Sequence, residues 1–153
     1  MISSFLSRGS RIGFPIFFVL LISKAAALND GLDAEVVKYT NDFRKSQGLA
    51  ALVMRDELNL IAREHSEDMA AGRCGFGHDG YDEREAKVQK IIKPFYGMAE
   101  NVAYGATTAK EVVSLWQSSA GHRKNMLGNY KYVGIGTARD KKGVIYYTEI
   151  FVR

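Results

Sequence analysis

The end of the chain constrains the fold more than any other part. Residues 132–139 (YVGIGTAR) and 144–152 (VIYYTEIFV) are dense in β-branched and aromatic residues, with DKKG between them. Such side chains fit the pleated, half-buried surface of a strand. A short connector with a glycine folds one strand back on the next. An antiparallel hairpin is predicted, and NVAYG at 101–105 offers a further strand. The segments upstream carry helical spacing instead. Helices first and strands last exclude an alternating parallel sheet and give an α+β class.

Three helices are expected with clear stops. The first spans Asp33 to Gln47, with Val36, Val37, Thr40 and Phe43 on one side and Gly48 as its end. The second starts near Asp56. Leu58, Ile61, Ala62, His65 and Met69 form its apolar stripe, and Gly72 ends it. The third opens at Thr108, whose Thr-x-x-Glu pattern with Glu111 is a capping box. Val112, Leu115, Trp116 and Ser119 would face inward. A fourth, Asp82 to Ile92, is closed by Pro94, and a short turn is expected from Ser119 to Leu127.

The start of the chain reads as a leader. Arg8 and Arg11 precede the apolar run IGFPIFFVLLI, which is short for a membrane span, and Ala25 and Ala27 occupy the positions a signal peptidase reads. The expected division is a signal peptide over residues 1–27 and one domain over 28–153; an uncleaved N-terminal anchor is the alternative. Removing Arg8, Arg11 and Lys24 from the 21 basic residues leaves 18 against 17 acidic ones. That balance gives no electrostatic reason to expect nucleic acid or an anionic membrane as partner. A secreted chain with one cysteine, Cys74, forms no internal disulfide, so packing must hold it together. Cys74 itself is expected to be buried.

Several polar residues stand apart from this pattern. His78 follows a glycine-rich loop in CGFGHDGYDER, Glu100 lies in MAENVAYG, and His122 lies in SAGHRKNML at a helix junction. Each sits where a side chain can point into a cleft. Two imidazoles and a carboxylate suit a divalent ion such as Zn²⁺. They also suit an acid–base pair, or simply tie loops together. No spacing rule brings them into contact, since 22 residues separate each from the next. His65 is expected to be a core histidine with one satisfied nitrogen. Glu149 shares a strand face with Tyr147 and Phe151; exposure on a half-covered sheet is expected, with a buried, partnered carboxylate as the alternative.

In order along the chain, HSEDMA, FGHDGYDER, AENVAYG, LWQSSAGHRKNML, VGIG and YYTEIF resemble the CAP superfamily. This group comprises cysteine-rich secretory proteins, antigen 5 and pathogenesis-related 1 proteins, also called SCP domains. The chain is most similar to its compact, disulfide-free bacterial-type members. The resemblance implies a three-layer α-β-α sandwich with a small antiparallel sheet and a central cleft. It implies that His78, Glu100 and His122 line that cleft, with His78 and His122 able to hold Zn²⁺ or another divalent metal. The family's other cleft glutamate falls at about Ser119, where no carboxylate stands, and Glu149 occupies a position usually held by glutamine.

The function this implies is a secreted, non-enzymatic binding module for a lipid or other small molecule. The alternative is a hydrolase, metal-dependent or based on Glu100 and His122. The sequence argues against the latter, because no Ser or Cys nucleophile lies beside a base and Ser119 removes a proton-transfer group. Nucleic acid is not an expected partner, nor is stable membrane insertion once the leader is gone.

Overall fold

The computed structural model describes residues 17–153, with side chains described from residue 31 onward. In chain order its elements are α1 (Phe17–Ser46), β1 (Val53–Met54), α2 (Asp56–Ala70), α3 (Tyr81–Ile91), β2 (Met98–Tyr104), α4 (Ala109–Ser118), α5 (Ala120–Met126), β3 (Tyr132–Arg139) and β4 (Ile145–Val152). The leader expected over residues 1–27 falls largely outside the described residues. Its described part, from Phe17, is helical backbone continuous with α1.

The hairpin forms as its composition demands. β3 and β4 pair antiparallel from Tyr132↔Val152 to Arg139↔Ile145. Asp140 shapes the turn: its Oδ1 accepts from the backbone N–H of Lys142 and of Val144 at 2.8 and 2.9 Å. β2 adds to the other side of β4, antiparallel, with Glu100 opposite Ile150. The sheet order is β1-β3-β4-β2. The sheet is mixed rather than purely antiparallel, because β1 pairs with β3 in parallel. β1 is too short to leave a periodic signal in the sequence.

Strand alternation then builds three layers. Val133, Ile135, Tyr147 and Phe151 point to one side, where they join Val36 and Val37 of α1, Val112, Val113 and Trp116 of α4, and Met126 of α5. Ile150 and Val152 point to the other, where Leu58 and Ala62 of α2 and Val88 and Ile92 at α3 cover them. The VGIG motif explains the fit of α2. A Cβ at Gly134 would overlap Leu58, and one at Gly136 would overlap the backbone of Arg63. Only glycine lets the helix lie so close to β3.

Four expectations need correction. α1 does not begin at Asp33 but runs unbroken from Phe17; it does end where Gly48 adopts φ 75°. α3 starts at Tyr81, one residue early, because Gly80 in the left-handed region is its cap and Asp82 makes no capping bond. On α4 the buried stripe is Ala109, Val112, Val113 and Trp116, while Leu115 is 52% exposed. The stripe runs i, i+3, i+4, i+7 from Ala109, which turns Leu115 outward. Finally, the segment after Ser119 is the helix α5 rather than a simple turn.

Candidate functional site

Glu100 lies in the middle of β2 and its side chain is fully buried. The charge is met by Arg84, in the first turns of α3, which is also buried. Arg84 donates from Nε to Oε2 and from Nη2 to Oε1, both at 2.7 Å. This paired geometry is the strongest a carboxylate can find among side chains. The remaining guanidinium nitrogen, Nη1, donates to the carbonyl of Asp79 at 2.7 Å, so the same arginine holds the loop before α3.

His78 completes the cluster. Its Nδ1 lies 2.9 Å from Glu100 Oε1. An ionised carboxylate only accepts, so Nδ1 is the protonated nitrogen and donates. In the neutral ring Nε2 then carries the lone pair, and half of the side chain is exposed to present it. The glycine-rich loop that carries His78 is held from below by His65 of α2. His65 is 3% exposed, and its Nε2 lies 2.8 Å from the carbonyl of Gly77, to which it donates. Burial lowers the His65 pKa and keeps the ring neutral. It is the satisfied core histidine expected, and it also positions the loop beneath His78.

His122 is brought to the same neighbourhood by α5. Asn101, next to Glu100 on β2, donates from Nδ2 to the carbonyl of His122 at 3.2 Å. Asn125 donates from Nδ2 to the Glu100 carbonyl at 3.1 Å and to Asn101 Oδ1 at 2.9 Å. These three bonds clip α5 to the edge of β2. Burial is the larger cause that lowers the His122 pKa; protonation of His78 would lower it further. Ser119 is at once the C-terminal cap of α4 and the N-terminal cap of α5, and its side chain makes no capping bond to α5.

The structure thus brings His78 and Glu100 into direct contact and ties the His122 backbone, through Asn101, to the neighbouring position of β2. Among the described residues no group of three or more His, Cys, Asp or Glu side chains is placed to hold one ion. Both Glu100 oxygens are already engaged, which leaves His78 Nε2 and the His122 ring as the free donors of the set. Beside the cluster, a cavity of about 150 Å³ is lined by charged groups such as Glu64, Asp68, Asp79 and Lys87. Cys74 lines it too. It is half-buried rather than buried, and burial pushes its thiol pKa up, away from a reactive thiolate.

Glu149 corrects an expectation. It is fully buried, not exposed, because α1 covers that sheet face, and it accepts a hydrogen bond from Thr40 at 2.8 Å. It stands apart from the cluster around Glu100. Arg84, Asn101 and Asn125 were not anticipated as site residues. Arg84 had a signal: it lies four residues before Val88 on the apolar side of α3, where an arginine requires a buried partner. The asparagines gave none, since their partners are far away in sequence.

A mixed sheet between two helical layers, with a histidine–glutamate–arginine cluster at its β2 edge, defines an SCP-type α-β-α domain. The sequence profile of the cysteine-rich secretory protein (CAP) family matches residues 37–151, and the chain belongs to that family. It is 35% identical over 107 residues to the uncharacterized protein YkwD of Bacillus subtilis (strain 168), covering 68% of this chain and 41% of that protein. A solved extracellular protein containing a SCP domain from Bacillus anthracis (strain Ames) superposes with a TM-score of 0.71 at 26% identity, over 82% of this chain and 41% of that one. A cysteine-rich secretory protein from Staphylococcus aureus (strain Mu50) gives 0.66 at 26% identity, over 81% and 38%. The chain spans less than half the length of each of these relatives.

Proposed function

We propose that the chain is an extracellular, non-enzymatic binding module whose cleft offers an open divalent-cation site on His78 and His122. The carrying observation is the state of Glu100. Its two oxygens are taken by Arg84 and His78, and its side chain has no exposed surface. A carboxylate so engaged has no reach to a water or a substrate, so it does not serve as a general base. It serves instead to fix the tautomer and tilt of His78, as the outer partner of a metal-binding histidine does. The ion would supply Lewis acidity and a point of attachment, and the rest of its shell would be water or ligand.

A hydrolase reading loses its base at Glu100, and the Cys74 thiol, pushed up by burial, is a poor nucleophile. A lipid is the weaker ligand class. Pockets that engulf such molecules measure about 300–1,000 Å³, whereas the cavity beside the cluster is about 150 Å³, with Glu64, Asp68, Asp79 and Lys87 among its lining residues. A small polar ligand that completes the ion's shell fits better. Secretion is supported by the leader-like start and by the extracellular Bacillus anthracis relative.

Elemental analysis of the purified protein tests this. Zn²⁺ retained after dialysis by the wild type and lost in the His78→Ala, His122→Ala double variant is the expected result. Equal metal content in both folded proteins would overturn it.

A further inference from the structure

Glu149 sits in the middle of β4, a strand paired on both sides, and has no exposed surface. Thr40 Oγ1 of α1 donates to its Oε1 at 2.8 Å, and its Oε2 meets no donor. A buried carboxylate anion needs several donors or a close ion pair, and one hydroxyl falls well short. Among the described residues, the neighbours that face it across and along the sheet are uncharged. Across the strands these are Asn101 of β2 and Ile135 of β3. Along β4 they are Tyr147, whose phenol burial pushes up to about 12, and Phe151. Trp116 of α4 and Met126 of α5 belong to the same apolar cluster.

Among the described residues, one cation acts on Glu149: Arg44, one turn along α1 from Thr40. Its Nε and Nη1 are committed elsewhere. They donate to the carbonyls of Ala50 at 3.0 Å, Met126 at 2.7 Å and Gly128 at 2.9 Å. The last two belong to the turn that closes α5.

We propose that the folded protein holds Glu149 as a neutral carboxylic acid, and that its ionisation competes for Arg44 and loosens the turn after α5, an alkali-sensitive latch joining α1, β4 and α5. Burial pushes the carboxyl up from 4.5 to about 8, against the opposing pull of Thr40 and Arg44. The unfolded chain releases this proton near 4.5 and the folded chain keeps it to about 8. Between those values the folded state binds more protons. Stability from this group therefore falls as pH rises through the window, and levels off above it.

The test uses the full chain and does not depend on metal binding. Carbon-13 NMR of the glutamate carboxyls should show one resonance titrating near pH 8 in the wild type and absent in Glu149→Gln. A Glu149 resonance with a midpoint near 4.5 would overturn the proposal. Should Glu149→Gln fail to fold, Thr40→Val serves: loss of the donor should raise the midpoint further, and an unmoved midpoint contradicts the assignment. For the latch, amide exchange at Leu127 and Gly128 is compared between wild type and Glu149→Gln at pH 6 and pH 8. The wild-type rate relative to the variant should rise at pH 8, and a constant ratio would refute the coupling to Arg44.

Discussion

At Glu100, an arginine decides what a carboxylate can do. With Arg84 in place, the buried charge is paired and His78 is held in one tautomer. Arg84→Met would leave the anion buried and unpaired, and removing one partner of such a pair costs about 3–5 kcal/mol. Urea unfolding should show a loss of that order, whereas a loss below about 1 kcal/mol would mean that Glu100 finds water or another donor. His65 carries a pH prediction of its own. Burial holds its folded pKa below the ordinary histidine value of about 6.5. The unfolded chain therefore takes up a proton below about 6.5 that the folded chain resists, and stability is lost as pH falls. His65→Gln, which can still donate to Gly77, should flatten the decline in melting temperature between pH 7 and pH 5. An unchanged slope would assign that decline to other groups. The sequence made the polar residues visible but not their pairing. His78, Glu100 and His122 stood out because each interrupts an apolar or glycine-rich context, yet their contacts run over separations that no local rule reaches. Glu149 was misplaced for a related reason: alternation fixes which face a side chain takes, while the covering helix decides whether that face is dry.

The elements are held by close backbone approaches and by side-chain caps on a strand edge. α2 lies on β3 through Gly134 and Gly136, where any Cβ meets helix backbone. Gly136→Ala must push the helix away from the sheet, and overpacking of this kind costs about 1–3 kcal/mol or more. Thermal unfolding should show a clear drop in melting temperature, and a neutral effect would contradict the packing described. β2 is an edge strand of seven residues, a length that invites pairing with another chain. Its carbonyls at Met98, Glu100 and Val102 accept from Tyr81 Oη, Asn125 Nδ2 and Trp116 Nε1 at 2.8, 3.1 and 3.3 Å. These groups are satisfied within the chain. Asn125→Ala removes two bonds and the clip on α5, so a loss of about 1–3 kcal/mol is expected, with greater self-association measurable by light scattering. A monomeric, equally stable variant would show that the clip is dispensable. Helices with a cap and a stripe were legible: Thr108 accepts from the Glu111 N–H as its motif requires. What escaped were β1, with two residues, and α5, with seven, because neither is long enough to display a period.

On the scale of the whole molecule, a core on each side of the sheet replaces covalent bracing. Trp116, Tyr147 and Phe151 are fully buried on one side, and Leu58, Val88 and Ile150 on the other. With a single half-buried cysteine, a reducing agent should leave the melting temperature unchanged; a drop would mean that Cys74 joins two chains. The order of helices before strands made the α+β class readable, and the family match over residues 37–151 agrees with it. The central claim concerns the histidines near the β2 edge: that His78 and His122 together would offer lone pairs to a cation while Glu100 only orients. Calorimetric titration with Zn²⁺ at pH 7.5 and at pH 5 tests it most directly. Protonated imidazole does not coordinate, so saturable binding at pH 7.5, much weakened at pH 5 and abolished in the His78→Ala, His122→Ala variant, is the predicted result. No binding to the folded protein at either pH would contradict it.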